Sequence, residues 1–243
     1  MTPAVRMILE GIYESLGGNS SVITLEFGSG GSTRHFARLA KELYAIESSR
    51  AFYQDVRNVI RPNVELVLRE KDVEHNAGDI MLLHQHPRYR AMTRIVHPQQ
   101  KTDSYASYLL QVGRFRRRRF DFVLIDGMVR AQAALAVLDH IDSRSRVAIH
   151  DFFAQGSKLP QGSLEYWMPC ELLKSYRVEG AFNSMMPYQS GGSVVVLQKL
   201  HNRSRVFPGR SQLSTRASSE SAREMGDILD AAIRQHSGCA ALP

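Results

Sequence analysis

Two carboxylates and a glycine-rich turn lie close together near the start of the chain. The apolar run Val22–Leu25 ends in Glu26, and the next apolar run ends in Glu47. The turn between them begins with four small residues, Gly28, Ser29, Gly30 and Gly31. Glycines let the backbone turn sharply, and because they lack a Cβ a ligand can lie against them. A strand, a glycine turn, a helix and a second strand predict a nucleotide-type site at the carboxyl ends of two adjacent parallel strands.

The glycine spacing fits a dinucleotide only in part. The dinucleotide fingerprint places glycine at the first, third and sixth positions, and Thr33 stands at the sixth position here. A carboxylate at Glu26 would also face the pyrophosphate of a dinucleotide. A ligand without phosphates and with a cationic centre suits Glu26 better. S-adenosylmethionine fits that description, because it has an ammonium, a sulfonium and a ribose whose hydroxyls could donate to Glu47. An NAD(P)-dependent oxidoreductase is the alternative.

The residues LEFGSGGST followed by YAIES resemble the first two motifs of the class I (Rossmann-like) S-adenosylmethionine-dependent methyltransferases. The resemblance covers about residues 3–200. It implies an α/β fold, with a doubly wound, mostly parallel seven-stranded sheet, helices on both faces and a C-terminal antiparallel hairpin. It also implies that Glu26 and the glycine turn hold the methionine portion, that Glu47 holds the ribose, and that Asp72 meets the adenine.

Two later apolar runs, in FDFVLIDG and VAIHDFF, also end in carboxylates, Asp126 and Asp151. Asp126 is expected to join the cofactor site. In the metal-dependent O-methyltransferases that the chain resembles, acids at these two strand ends ligate a divalent cation, which implies Mg²⁺ at Asp126 and Asp151. Phe152 stands where those enzymes typically have Asn. His150 offers a metal-free alternative, as a general base oriented by Asp151. A packed strand histidine is the third interpretation.

The motif IDG-x-x-R, together with HDF, resembles an uncharacterised methyltransferase-like branch that shares the EFGSGGST start. Its arginine is Arg130, which could receive an anionic group of the substrate. A solvated arginine at the start of a helix is the alternative. This branch narrows the family without naming a substrate.

The elements that must position these residues follow from hydrophobic spacing. Strands alternate with helices up to a third strand at Val64–Leu68, which predicts a parallel sheet. Ser32 or Thr33 can cap the helix after the glycine turn. Periodicity fades over residues 70–102, which predicts a surface or substrate-facing insertion, although the alternation Ile80–His86 also permits an added strand. Two final strands, Arg177–Phe182 and Ser193–Gln198, complete a domain of residues 1–200.

Residues 201–243 form a basic Ser/Arg-rich tail, in which residues 220–235 have the spacing of a helix. The chain carries 31 Lys and Arg against 24 Asp and Glu, a net charge of +7. Part of the excess lies in the run Arg114–Arg119, so nucleic acid is a secondary expected partner. No apolar stretch reaches the roughly 18 residues of a membrane helix. The two cysteines have no metal-ligand spacing, and a cytoplasmic location is expected.

Three functions are therefore compatible with the sequence. The first is an S-adenosylmethionine-dependent methyltransferase that acts on the oxygen of a small-molecule or sugar-like acceptor. The second is the NAD(P)-dependent oxidoreductase. The third is a non-catalytic module that binds an adenosyl group or associates with nucleic acid through its arginines. The acceptor cannot be derived from any motif in the chain.

Overall fold

A computed structural model describes residues 3–18, 21–71, 76–95, 102–150, 170–183 and 193–200. The strands are β1 (Ile23–Phe27), β2 (Glu42–Glu47), β3 (Val64–Leu68), β4 (Phe122–Ile125), β5 (Arg146–His150), β6 (Tyr176–Asn183) and β7 (Ser193–Lys199). The helices are α1 (Pro3–Ser15), α2 (Gly31–Leu39), α3 (Arg50–Arg57), α4 (Ala77–His84), α5 (Tyr89–Arg94), α6 (Ala106–Leu110), α7 (Arg130–Ala136) and α8 (Cys170–Leu173). Short 3-10 turns accompany α6 and α7.

The seven strands form one sheet in the order β3-β2-β1-β4-β5-β7-β6. The first five strands pair in parallel, whereas β7 is antiparallel to both β5 and β6. This arrangement confirms the predicted mostly parallel sheet with a C-terminal antiparallel hairpin. Phe27 lies opposite Ile46 and Ile125, and Ile125 lies opposite Ile149. The residues that follow these four positions therefore meet at one edge of the sheet.

Helices cover both faces of the sheet, as the sequence predicted. One face packs against α1 and α2, and its buried cluster includes Leu9, Phe36, Phe122, Leu124 and Val196. The opposite face packs mainly against α6, α7 and α8, and its larger cluster includes Leu25, Phe27, Tyr108, Leu135 and Ile149. Side chains alternate between the two faces along a strand. Because Leu25 and Phe27 point to the second face, Thr24 and Glu26 point to the first. The hydroxyl of Tyr13 in α1 pairs there with Thr24, at 2.5 Å.

Two local predictions are wrong. Residues Ile80–His86 form no added strand, because α4 runs through His84 and begins where the Asn76 side chain accepts a hydrogen bond from the Asp79 N–H. Helix α2 begins at Gly31, so Ser32 and Thr33 lie inside it rather than before it. The Thr33 hydroxyl still serves the helix start, since it accepts a hydrogen bond from the Gly30 N–H at 2.8 Å.

Several predictions fall on residues outside the described part of the chain. They concern Asp72, Asp151 and the tail 201–243, with its predicted helix over 220–235. Among the described residues, no helix has the length and apolarity that a membrane span requires.

The arginine run lies at the amino edge of the sheet, where β4 begins. Arg116 and Arg117 both pair with Glu42 at the start of β2, at 3.5 Å and 2.6 Å. Arg119 donates to the carbonyl of Ile141 at 3.2 Å. Arg116 and Arg117 nevertheless keep 73% and 45% of their side-chain surface exposed. The run is therefore partly neutralised by the protein itself.

Acid should weaken the fold through two half-buried histidines near this amino edge. Burial lowers the pKa of both His86 and His140, and the charge of Arg88 acts in the same direction at His86. At His140 the hydrogen bond to the Arg118 carbonyl opposes the effect of burial on the pKa. Asp139 opposes the effect at both sites. In addition, His86 Nδ1 accepts a hydrogen bond from the Arg88 N–H, which only the neutral ring can do.

Because the folded pKa lies below the unfolded value of about 6.5, the unfolded chain binds more protons, and stability falls as the pH drops below that value. The free energy of unfolding, measured with urea, should therefore decrease less between pH 8 and pH 5 in His86→Gln than in the wild type. His84→Gln is the matched control, because His84 lies at an exposed position two residues earlier. An identical pH dependence in wild type and His86→Gln would contradict this account.

Candidate active site

Four ionisable side chains come together at the carboxyl edge of the sheet, on the face covered by α1 and α2. Glu26 and Glu47 belong to β1 and β2, His150 ends β5, and Asp126 follows β4. The parallel register places these strand ends side by side. The structure therefore brings together all the described acids that the sequence predicted for this site, with His150 beside them.

The ends of β1 and β4 touch through two glycines. Gly28 has a φ of +89°, and a Cβ on it would lie 2.7 Å from both the N and the Cα of Gly127. Gly127 is equally constrained, because its Cβ would collide with the hydroxyl of Tyr108. Only glycine fits at either position. Gly30 and Gly31 differ, since nothing lies within 4 Å of a Cβ added at those positions.

Glu26 is fully buried. Neither of its carboxyl oxygens makes a hydrogen bond of normal geometry within the described residues. The net pKa of Glu26 is raised to about 8, mainly by burial and to a smaller extent by the charges of Asp126 and Glu47. The hydroxyls of Ser32 and Thr33 partly offset this rise. A buried carboxylate without a hydrogen-bonded partner is costly. A cation beside Glu26 would remove that cost.

Glu47 is buried as deeply but is surrounded by donors. Its Oε2 accepts hydrogen bonds from the N–H of Ser29 at 2.5 Å and from the Ser29 hydroxyl at 2.9 Å. Its Oε1 accepts from the N–H groups of Ser48 and Ser49, at 2.7 Å and 2.6 Å. Glu47 thus ties the glycine turn to the end of β2 and the start of α3.

Within the part of the chain that the structure describes, the carboxylate that orients His150 belongs to Asp126. The distance between Asp126 Oδ1 and His150 Nδ1 is 2.8 Å. An ionised carboxylate can only accept, so Nδ1 carries the proton in the neutral ring and the lone pair lies on Nε2. The sequence had assigned the orienting role to Asp151, which lies outside the described residues.

Arg130 adds a positive charge to the same edge. Its Nε donates to the carbonyl of Gly127 at 3.0 Å, and its guanidinium lies 3.9 Å from Asp126. The turn that places it contains Val129, a buried β-branched residue with a φ of +45°. A β-branched residue in this region is strained, and such strain is concentrated at functional sites.

Sequence analysis missed Tyr108. Its ring is buried and packs edge-on against Phe27, with the ring centroids 5.3 Å apart. Its hydroxyl, however, reaches the glycine contact between β1 and β4 and makes no hydrogen bond of normal geometry within the described residues. Burial raises the pKa of Tyr108 well above its usual value, and the charges of Glu47 and Glu26 add to the effect. No local pattern could have revealed this position.

The described residues give no support to the magnesium expectation. Among them, no group of three or more His, Cys, Asp and Glu side chains is placed to hold a metal ion. Asp126, one of the two expected ligands, pairs with His150 instead.

No protein-family model matches the chain. No curated protein matches it either. Solved structures do match. An rRNA methylase from Streptococcus thermophilus is 14% identical, with a TM-score of 0.50, and the match covers 83% of this chain and 99% of that one. A protein from Streptococcus mutans in complex with SAH is 12% identical, with a TM-score of 0.48 over 82% and 100% of the two chains. A methyltransferase-like protein from Silicibacter pomeroyi is 21% identical, with a TM-score of 0.45 over 82% and 87%.

The sheet order and the match to the rRNA methylase show that the chain has the class I (Rossmann-like) methyltransferase fold. At this level of identity the likeness concerns the fold alone.

Removing the Tyr108 hydroxyl should stabilise the ligand-free protein. A buried hydroxyl without a hydrogen bond of normal geometry costs about 1–3 kcal/mol, and the Met128 backbone beside it offsets part of this cost. Tyr108→Phe should therefore raise the free energy of unfolding by up to about 1 kcal/mol. Tyr13→Phe is the matched control, because the Tyr13 hydroxyl is buried and paired with Thr24. That variant should lose about 1 kcal/mol. Urea unfolding of both variants measures the difference, and destabilisation by Tyr108→Phe would show that its hydroxyl has a stabilising partner.

Proposed function

We propose that this protein is an S-adenosylmethionine-dependent methyltransferase that methylates a hydroxyl oxygen of a small-molecule or sugar-like acceptor. The observation that carries the proposal is Glu26, a fully buried carboxyl that has no hydrogen bond of normal geometry and directly precedes an open glycine turn. A binding site with this composition selects a ligand that is cationic and lies close to the backbone.

The residues present fit S-adenosylmethionine. When bound, this cofactor supplies an electrophilic methyl group on a positively charged sulfur. Glu26 and the backbone of Gly28–Gly31 would hold its methionine portion, and the space beside Gly30 and Gly31 leaves room for it. Glu47 would face the ribose. Asp72, expected near the adenine, lies outside the described residues.

On the acceptor side, His150 would take the proton of the hydroxyl group through Nε2. Asp126 would hold the ring and stabilise the imidazolium that forms, because its carboxylate is 2.8 Å from Nδ1. Arg130, anchored to the Gly127 carbonyl, would contribute a positive charge toward an anionic group on the acceptor. This assignment requires no metal ion.

The NAD(P) alternative fits the site less well. The dinucleotide-binding Rossmann sheet has the strand order 3-2-1-4-5-6, whereas in this sheet an antiparallel β7 lies between β5 and β6. Thr33 occupies the position of the third glycine and is buried in α2. An acid at Glu26 would repel a pyrophosphate. Calorimetry with NADH and NADPH should detect no binding.

Binding of S-adenosylhomocysteine should release a proton from Glu26. In the free protein the pKa of Glu26 is about 8, so the group is largely protonated at pH 7, and a cation beside it favours the ionised form. Affinity should therefore fall as the pH drops from 8 to 6, by up to about tenfold per unit. Titration calorimetry in buffers of different ionisation enthalpy measures the released proton directly.

Glu26→Gln is the matched control for this linkage, because it keeps the shape of the side chain and removes its titration. It should bind more weakly at pH 8 and lose most of the pH dependence. Titration of the ligand itself is common to both proteins and cancels. A wild type that binds S-adenosylhomocysteine with the same pH dependence as Glu26→Gln would exclude the role given to Glu26.

Removal of the proposed base should affect turnover more than cofactor binding. With an accepted hydroxyl compound, His150→Gln should lower kcat by about 100-fold or more and leave the dissociation constant of S-adenosylhomocysteine within about threefold of the wild-type value. Asp126→Asn should lower kcat in the same direction, because the neutral amide no longer favours the imidazolium. Turnover is followed by the S-adenosylhomocysteine that forms.

The same assay identifies the acceptor class. Sugars, phenols and small hydroxy acids form the first panel, and RNA oligonucleotides form the second, since the basic run Arg114–Arg119 makes nucleic acid the secondary expected partner. His140→Gln at the amino edge is the control for His150→Gln and should keep full activity. Turnover that depended on added Mg²⁺ and not on His150 would contradict the proposed base.

A further inference from the structure

The hydrogen bonds of Glu47 raise a specific problem for a ribose that must bind there. A carboxylate offers about four lone-pair sites. Four donors of the protein already occupy them, two from Ser29 and one each from the backbones of Ser48 and Ser49. A ribose hydroxyl that donates to Glu47 must therefore replace one of these donors.

Only one of the four donors can leave without moving the main chain. The N–H groups of Ser48 and Ser49 belong to the connection between β2 and α3, and the N–H of Ser29 belongs to the glycine turn. The Ser29 hydroxyl, in contrast, turns away by a rotation about a single side-chain bond. It is also only half-buried, whereas Glu47 is buried.

We infer that the Ser29 hydroxyl holds the ribose position of Glu47 in the free protein and is exchanged for a ribose hydroxyl when the adenosyl ligand binds. The inference rests on the proposed function, because it concerns the same ligand at the same site. Ser29 is thereby a specificity-determining residue: it decides how much affinity the ribose hydroxyls contribute.

The exchange replaces one hydroxyl donor on a carboxylate with another. The ribose hydroxyls should therefore add little net affinity in the wild type. In Ser29→Ala the vacant lone pair is hydrated in the free protein, and the ribose displaces a water molecule instead of a bonded side chain. Removal of the competitor is expected to tighten binding about three- to tenfold, which is about 0.7–1.4 kcal/mol and within the net contribution of one hydrogen bond.

The first experiment titrates S-adenosylhomocysteine into the purified wild type and three variants of it. Ser29→Ala should bind about three- to tenfold tighter than the wild type. Ser29→Thr keeps the hydroxyl and should bind like the wild type. Ser49→Ala is the matched control, because only the backbone of Ser49 donates to Glu47 and its side chain makes no capping hydrogen bond. Its affinity should not change.

The second experiment has a wild-type arm that does not depend on the folding of any variant. It compares S-adenosylhomocysteine with its 2′,3′-dideoxy analogue. The wild type should bind the two ligands with affinities within about threefold of each other. In Ser29→Ala, the ratio of the two affinities should favour the natural ribose by about tenfold more than it does in the wild type.

The outcomes separate this inference from the proposed function. If neither the wild type nor Ser29→Ala binds S-adenosylhomocysteine, both fail. If the wild type binds it but Ser29→Ala binds no tighter, the proposed function stands and the exchange at Ser29 is overturned. A wild type that already loses about thirtyfold or more in affinity with the dideoxy analogue also overturns the exchange, because the ribose hydroxyls would then face no competitor.

Discussion

The close contact between Gly28 and Gly127 is the constraint on which the site depends. A Cβ on Gly28 would clash with the backbone of Gly127 at 2.7 Å, and a Cβ on Gly127 would lie 3.0–3.1 Å from the backbone of Gly28, which is tighter than ordinary contact. The adjacent hydrogen bonds, from Asp126 N–H to Phe27 and from Gly28 N–H to Ile46, hold both turns at the sheet. A side chain at either glycine would separate β1 from β4 and move Glu26 away from Asp126.

The two glutamates beside this contact differ in the hydrogen-bond donors that surround them. Glu26 precedes the glycine turn inside the sheet and is fully buried, with the Ser32 and Thr33 hydroxyls of α2 as its polar neighbours, so the neutral form is favoured. Glu47 ends its strand, where three backbone N–H groups and a hydroxyl point toward it. One carboxyl is thus available to a cationic ligand, and the other shapes the turn that receives it.

The sequence predicted whatever depends on short-range patterns. Alternation and apolar runs gave the strands, and Glu26, Gly28 and Glu47 were found because turn chemistry is local. The contact between His150 and Asp126 depends on the register of β4 against β5, which no single segment contains. The hydroxyl of Tyr108 reaches the site from the opposite face of the sheet, so its role follows only from the packed structure. The sequence left a strand over Ile80–His86 open, because the short apolar run Ile80–Leu83 fits a strand and a buried helix segment equally well.

Charge is distributed unequally between the two edges of the sheet. The amino edge carries the arginine run, including Arg116 and Arg117, which are paired with Glu42 but still exposed. The carboxyl edge gathers Glu26, Glu47 and Asp126, and Asp126 faces both Arg130 and His150. The negative charge of the carboxyl edge comes from Glu47 and Asp126, and Glu26, whose pKa is about 8, adds to it when a cation beside it favours the ionised form. A net charge of +7 is therefore compatible with a cationic donor, because the ligand responds to the local charge at the strand ends and not to the total.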